Sequence, residues 1–222
     1  MSPKLELYFF PFSPPARAAW MTCSAAGVPV DIKYIDLLNG EQKTAEFIKI
    51  NPQHTVPTLV DGDFVLWESR AIACYIVDKY GTAKQFLYPK DLHKRAEVNR
   101  LLQYDAGNVW IGVVENWVYK IHHKPPPTTE RETAFHTCLD YLDGLLKGKL
   151  YLMGSELTIA DISICASLSI WESIDEDISR WKNLLKWYQR IKDQPFWEEC
   201  NHGIQDLKEY YQRTNEHKKS LV

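Results

Sequence analysis

Apolar positions follow two different periods along this chain, and the period changes near Gly81. Before that point, LELYFF (5–10) and VDIKYID (30–36) have the aromatic and branched composition of strands, and each is followed by a stretch with helical spacing. PTLV and FVLW flank the turn sequence DGD (61–63), which predicts a β-hairpin. Strands that alternate with helices and then form a hairpin predict a small α/β domain with a mixed sheet.

After Gly81 the apolar positions repeat at helical spacing, apart from a polar linker at 82–91. Thr158 and Asp161 have the spacing of a capping box, and the helix that they begin is apolar on nearly every face. That helix is therefore predicted to be the buried centre of an all-α domain. Helices are predicted at about 92–120, 129–147, from 158, 181–192 and 195–213, and the closing residues 215–222 are predicted to fray.

The chain is long enough for an α/β domain at 1–81, a linker at 82–91 and an all-α domain at 92–222. Hydrophobic residues make up 45% and charged residues 25%, as in ordinary soluble globular proteins. The formal net charge of −3 gives no indication of a nucleic-acid partner. The first residues are not predicted to form a signal peptide, and no apolar run approaches the ~18 residues of a membrane span. We therefore expect no nucleic-acid and no membrane partner.

The cysteines and histidines lack the spacing of a disulfide framework or a zinc site. An odd number of widely spaced cysteines predicts buried thiols in a reducing, hence cytoplasmic, compartment. His122 and His123 are adjacent, but without a third ligand we interpret them as a solvated helix end and predict no metal. The five cysteines are Cys23, Cys74, Cys138, Cys165 and Cys200.

The stretch FSPPARAAW (12–20) places a hydroxyl where the first strand ends and a helix begins. Ser13 precedes two prolines, which a first helical turn tolerates because its N–H groups have no helical partner. The free N–H groups and the helix dipole at such a junction favour an anion, so Ser13 is a candidate partner for one. The alternative is that Ser13 only caps the helix.

Two further stretches could bind a small peptide. In NPQHTVPTLV (51–60), Pro57 leads into a strand; a cis bond there would turn the Val56 backbone toward an extended ligand. WESRAI (67–72) begins a helix, where the N–H groups and hydroxyl of Ser69 could bind a carboxylate and Glu68 an ammonium group. The alternatives are a generic turn and a capped helix with solvated charges.

Together, SPPAR, NPQHTVPTL and ESRAI, with LTIADISI and PFWEECNHGI later in the chain, resemble the cytosolic glutathione transferases, and closely the insect delta and epsilon classes. The resemblance covers essentially the whole chain. It implies a thioredoxin-like N-terminal domain, an all-helical C-terminal domain and a homodimer. It also implies that glutathione binds in the cleft between the domains and is conjugated there to small hydrophobic electrophiles.

The resemblance also assigns residues to the glutathione site. Ser13 matches the serine that activates the thiol. Val56 matches the residue whose backbone pairs with the cysteinyl unit, ahead of a cis Pro57. His54 matches a histidine near the glycine carboxylate of glutathione. At a second position near that carboxylate, many delta and epsilon members have a histidine where this chain has Gln42, which can donate a hydrogen bond but cannot carry charge. The group that holds the γ-glutamyl end is Glu68, Ser69 and Arg70.

The pocket for the electrophile is assigned by position. Ala106 is small where relatives often have a larger residue, which would enlarge the pocket. Asp105 lies on an apolar helical stripe and should have a partner, which is either glutathione at the dimer edge or an internal hydrogen bond. The candidate lining residues are Phe12, Leu38, Ala106, Trp110, Val113 and Trp117; the last three have helical spacing that fits a helix–helix core equally well.

The predicted chemistry is stabilisation of a thiolate. A free thiol has a pKa near 8.5, and a hydroxyl donor at a helix N-terminus favours the anion. Serine in SPPA, in place of a CxxC motif, argues against a redox oxidoreductase. A glutathione-dependent isomerase or peroxidase, or a non-catalytic carrier of hydrophobic ligands, is the alternative.

Overall fold

The computed structural model describes residues 5–174 and 176–219. Within that part, a four-stranded mixed sheet with three helices is followed by a helical region, which confirms the predicted fold class. The predicted domain ranges 1–81 and 92–222 include residues outside the described part, and their boundaries stay predictions. Residues 220–222, which were predicted to fray, also lie outside it.

The sheet has the strand order β2-β1-β3-β4. β1 pairs with β2 in parallel and with β3 antiparallel, and β3 and β4 form the predicted hairpin. In β1 alternate side chains are buried, as a half-buried strand requires. The strands are β1 (Leu5–Phe9), β2 (Asp31–Tyr34), β3 (Thr58–Asp61) and β4 (Phe64–Trp67); the helices among them are α1 (Pro14–Ala26), α2 (Ala45–Ile50) and α3 (Ser69–Lys79).

Local signals in the sequence set the ends of α1. Ser13 is its N-cap, and its side-chain oxygen accepts a hydrogen bond from the Ala16 N–H at 3.3 Å. Gly27 ends the helix with φ = 71°, a left-handed conformation that glycine adopts without steric cost. One face of α1 packs against α3, and another packs against a helix of the C-terminal half.

The helical region begins with a continuous helix, α4, at residues 92–121. The predicted linker differs from a solvated connection, since it contains a 3₁₀ segment, Thr82–Leu87, and buries Leu87 and Tyr88. The single helix predicted at 195–213 is two helices, and the second extends to Lys219, into the segment predicted to fray. The remaining helices are α5 (Thr129–Leu145), α6 (Ile159–Leu168), α7 (Ile170–Ser173), α8 (Lys182–Lys192), α9 (Trp197–Asn201) and α10 (Gly203–Lys219).

Helix α6 is the buried centre of the helical region, as its apolar composition predicts. All ten of its residues are buried, and it packs against α1 and α4. The predicted capping box is present: the Thr158 N–H and hydroxyl donate to Asp161 Oδ2 at 2.9 and 2.8 Å. The other carboxylate oxygen accepts the indole N–H of Trp187 at 2.9 Å, so the cap is also tied to α8.

Two π-helical segments, Asp105–Val109 and Val114–Val118, interrupt the α-helical geometry of α4. A π segment contains one residue more than an α-helical turn, and such segments are frequent at functional sites. Each one therefore rotates the side chains that follow it by about one residue, on the order of 100°. The helical spacing read from the sequence does not hold across these segments.

Within the described residues, no helix is long and apolar enough to cross a membrane. No three acidic, histidine or cysteine side chains in the same part of the chain come together as metal ligands. All five cysteines are free thiols, and four of them are buried.

Candidate functional site

A cleft of about 630 Å³ opens between the α/β part and the helical part of the chain. One side comes from the β1–α1 junction, the segment before β3 and the start of α3. The other side comes from α4, α7 and α10. Among its lining residues are ten of the predicted site residues: Phe12, Ser13, Leu38, Val56, Pro57, Glu68, Ser69, Arg70, Ala106 and Trp110.

Ser13 both caps α1 and lines the cleft. The proposed cap and the proposed chemical role are therefore compatible, because the cap uses the hydroxyl oxygen as an acceptor and leaves its proton to donate. Pro14 and Pro15 follow, and neither has an N–H, so the Ala16 N–H is the first helical donor that needs an acceptor. The helix N-terminus adds a positive partial charge at the same place.

The start of α3 forms the polar end of the cleft. Glu68 has φ = 72° and ψ = 107°, a conformation that costs a non-glycine residue about 1–3 kcal/mol and is typical of functional sites. Ser69 is almost completely buried, and both residues line the cleft. The Val56–Pro57 peptide opposite them is cis, as the resemblance implied.

Arg70 is held by Asp105, so the internal hydrogen bond predicted as one of the two alternatives for that carboxylate is present. Asp105 Oδ2 accepts hydrogen bonds from Arg70 Nε at 3.0 Å and Nη2 at 2.7 Å, and from Ser163 Oγ at 2.5 Å. Burial raises the pKa of Asp105, and the positive charge of Arg70 opposes that rise. Arg70 thus lies on the cleft wall, and its guanidinium is held in place by hydrogen bonds to Asp105.

Gln42 and His54, predicted near the glycine end of glutathione, are not among the lining residues of the cleft. Gln42 lies in a 3₁₀ segment, Glu41–Lys43, and its buried Oε1 has no hydrogen-bond partner among the described residues. His54 is exposed in a left-handed conformation, φ = 47°, and its N–H donates to the Asn51 carbonyl at 2.8 Å. Their roles stay predictions.

Val113 and Trp117 lie in the helical core and not on the cleft wall, which is the alternative that their spacing left open. Val113 is fully buried, and the ring of Trp117 meets Phe135 edge-on at a centroid distance of 4.9 Å. For Trp117 the cause is the π segment Val114–Val118, which adds one residue after Val113. Val113 precedes that segment and is buried within the α-helical turn Trp110–Val113. The side chains that continue the Trp110 face are therefore Val118, Ile121 and His122, which line the cleft.

Several cleft residues have no distinctive sequence signal. Leu207 and Tyr210 are three residues apart on α10 and so lie on one helical face. That spacing alone does not show whether the face lines a cleft or packs in the core. His122 lies at the cleft end of α4, and burial, with the charges of Lys124 and His123, lowers its pKa. We call the following residues the apolar wall: Phe10, Phe12, Leu38, Trp110, Val118, Ile121, Ile170 and Leu207.

Close packing ties α10 to the Ser13 loop. At Gly203, the first residue of α10, an added Cβ would lie 2.4 Å from Pro11 Cβ and 2.6 Å from the Pro11 carbonyl oxygen. A side chain at that position would therefore have to displace backbone. The rings of Phe12 and Tyr210 also meet, at a centroid distance of 5.9 Å.

Comparison with known proteins agrees with this geometry. The model of the glutathione S-transferase N-terminal domain matches residues 12–79, and that of the C-terminal domain matches residues 117–195. A delta-class glutathione transferase of Nilaparvata lugens is 37% identical with a TM-score of 0.88, over 94% of this chain and 99% of that one. An epsilon-class enzyme of the housefly, Musca domestica, is 34% identical with a TM-score of 0.86, over 96% and 99%. A homolog from Drosophila mojavensis with bound glutathione is 34% identical with a TM-score of 0.83, over 95% and 97%.

Proposed function

The chain belongs to the glutathione S-transferase family, and from that membership we propose that it conjugates the glutathione thiolate to small hydrophobic electrophiles in detoxification. The observation that carries the proposal is the position of Ser13, a hydroxyl at a helix N-terminus between a polar and an apolar part of one cleft. A thiol peptide bound in the polar part would bring its sulfur to the edge of the apolar wall.

Glutathione fits the polar part of the cleft by its chemistry. Glu68 offers a carboxylate to the γ-glutamyl ammonium group, while Ser69 offers a hydroxyl and a helix-start N–H to its carboxylate. The Val56 backbone is available to pair with the cysteinyl unit. Gln42 and His54 are proposed to contribute at the glycine end, since both belong to segments close in sequence to cleft residues.

Ser13 is proposed to stabilise the thiolate and not to act as a nucleophile. Its hydroxyl would donate a hydrogen bond to the sulfur, and the α1 N-terminus would add a favourable field, so the thiol pKa falls below ~8.5. Each pKa unit corresponds to ~1.4 kcal/mol of preferential thiolate stabilisation. The sulfur then attacks an electrophilic carbon held against the apolar wall, which contributes by positioning and by excluding water.

Substitution Ser13→Ala tests this role. If Ser13 stabilises the thiolate, an ultraviolet titration of the glutathione complex will show the thiol pKa rising toward ~8.5. Conjugation near pH 7 will fall roughly tenfold per unit, partly offset by the greater nucleophilicity of a more basic thiolate. The stability cost should be small, about 0.5–1 kcal/mol, because the cap bond at 3.3 Å is long and serves a single N–H.

Thr158→Ala is the matched control, because it removes a cap from a buried helix whose residues are not on the cleft. It should lower the free energy of unfolding by about 1 kcal/mol and leave the thiol pKa where it is in the parent. An unshifted pKa in Ser13→Ala would return Ser13 to the role of a helix cap alone.

The assembly and compartment belong to the same proposal. We infer a homodimer, as is typical of this family, and exposed apolar side chains such as Phe64 and Leu92 would gain from burial against a second copy. Sedimentation equilibrium would test it. The free cysteines favour the cytoplasm, where thiols stay reduced.

A further inference from the structure

Besides the indole of Trp110, two lining residues on the helical side of the cleft carry hydrogen-bonding side chains, Tyr210 and His122. Tyr210 is half-buried on α10, and its ring packs on Phe12, the residue before Ser13. His122 is exposed at the far end of α4, after the second π segment. Of the two, Tyr210 is therefore tied to the chain segment that carries the proposed sulfur partner.

The phenol hydroxyl of Tyr210 makes no hydrogen bond within the part of the chain that the structure describes. Other tyrosines differ in this respect: Tyr75 and Tyr80 donate to Asp61, and Tyr88 donates to Asn99. A half-buried hydroxyl without a protein partner is free to donate to a ligand. Beside apolar side chains such a donor has a larger effect than it has in bulk water.

The Tyr210 ring has neighbours on two sides. Phe12 contacts it at 5.9 Å between ring centroids, and the guanidinium of Arg213 lies 6.0 Å from the same centroid. Gly203, at the start of α10, packs directly against Pro11 and leaves no room for a Cβ. A movement of α10 away from the Ser13 loop would break that contact. A donor positioned by such packing can stabilise charge that develops on a substrate with little reorganisation.

We propose that the Tyr210 hydroxyl is a catalytic hydrogen-bond donor to the carbonyl oxygen of α,β-unsaturated aldehydes and ketones bound on the apolar wall, an inference that rests on the proposed function. The glutathione sulfur forms a bond to the β-carbon. The C=C pair shifts to the Cα–carbonyl bond, and the C=O pair moves to oxygen, giving an enolate. Tyr210 donates to this oxyanion, and the α-carbon then takes a proton from water, so glutathione adds as sulfur and hydrogen across the double bond.

The test compares two electrophiles of similar apolar length, trans-2-nonenal and 1-iodooctane. The iodide is displaced at carbon and leaves no oxyanion to stabilise. Tyr210→Phe should lower kcat/KM for 2-nonenal by about ten- to hundredfold and change it less than about twofold for iodooctane. Tyr211→Phe makes the same chemical change on the same helix at a residue that does not line the cleft, and it should leave both rates unchanged.

Each other result has a defined meaning. Equal losses for both electrophiles in Tyr210→Phe would show that the ring packs and the hydroxyl does no chemistry, which overturns the inference. A selective loss in His122→Phe with none in Tyr210→Phe would overturn it in favour of the imidazole. A parent enzyme that conjugates iodooctane but not 2-nonenal overturns the inference and leaves the proposed function intact. A parent that conjugates neither of them, nor a haloarene, overturns both.

Discussion

The contact between Arg70 and Asp105 gives the sharpest prediction about stability, because it is a buried pair on the wall of the cleft. The Asp105 carboxylate is completely buried, and the Arg70 side chain is 15% exposed. Asp105→Leu would leave the guanidinium and the Ser163 hydroxyl without their acceptor. Removing one partner of a buried pair costs about 3–5 kcal/mol, and we expect the lower end because water can reach Arg70 from the cleft.

The complementary change should behave differently with pH. Arg70→Met leaves a buried carboxyl whose pKa, already raised by burial, loses the positive charge that opposed the rise. The folded state then binds a proton more readily than the unfolded chain, so stability falls as pH rises from the ordinary value near ~3.9 through the raised one. Arg70→Met should therefore lose less stability relative to the parent at pH 5 than at pH 8.

The double variant Arg70→Met/Asp105→Leu shows whether the attraction within the ion pair exceeds the cost of burying its two charges. Apolar residues of similar volume often replace a buried pair without loss, but the buried Ser163 hydroxyl still lacks its acceptor in the double variant. The double variant should therefore recover most of the loss and lie about 1–2 kcal/mol below the parent. Urea unfolding of the four proteins at one concentration measures the coupling. The reasoning fails if Asp105→Leu costs under about 1 kcal/mol or if the double variant is no better than the worse single one.

Two further predictions concern the cleft. Gly203→Ala should cost about 1–3 kcal/mol and lower conjugation, because its Cβ would meet Pro11 at 2.4 Å. Gly144→Ala, where a Cβ meets nothing within 4 Å, should instead stabilise by up to about 1 kcal/mol; equal urea midpoints for the two variants would contradict the packing argument. His122 should titrate below 6.5 by NMR, and Lys124→Gln should raise that midpoint. Because folded His122 resists protonation, the parent should lose stability relative to His122→Gln as pH falls below about 6.5; a titration at or above 6.5 would refute this.

Features that depend on neighbours along the chain could be predicted from the sequence. The Ser13 cap, the Gly27 helix end and the box at Thr158 and Asp161 are all interactions over three or four residues, and the structure contains each of them. The mixed sheet was also predicted, from a hairpin and a strand–helix–strand unit, whereas its strand order β2-β1-β3-β4 comes from the structure. The resemblance supplied ten residues that do line one cleft, although their chemical roles await the experiments above.

Trp117 lies off the cleft because its assignment to the pocket assumed an uninterrupted 3.6-residue period along α4. Trp110, Val113 and Trp117 share a face of an ideal helix, but the extra residue of the Val114–Val118 π segment turns Trp117 into the core and Val118 onto the cleft. No pattern of residue types along α4 reveals that insertion. It has to be seen in the backbone.

The sequence by itself determined the local elements and the division into an α/β part and a helical part, because those follow from periodicity and from caps that act over one turn. The tertiary structure alone decided which side chains share the cleft. It paired Asp105 with Arg70 across 35 residues and brought Tyr210 against Phe12, close to Ser13. Such contacts depend on how separate elements pack, and the energy that selects one packing is spread over the whole core and not encoded in any single segment.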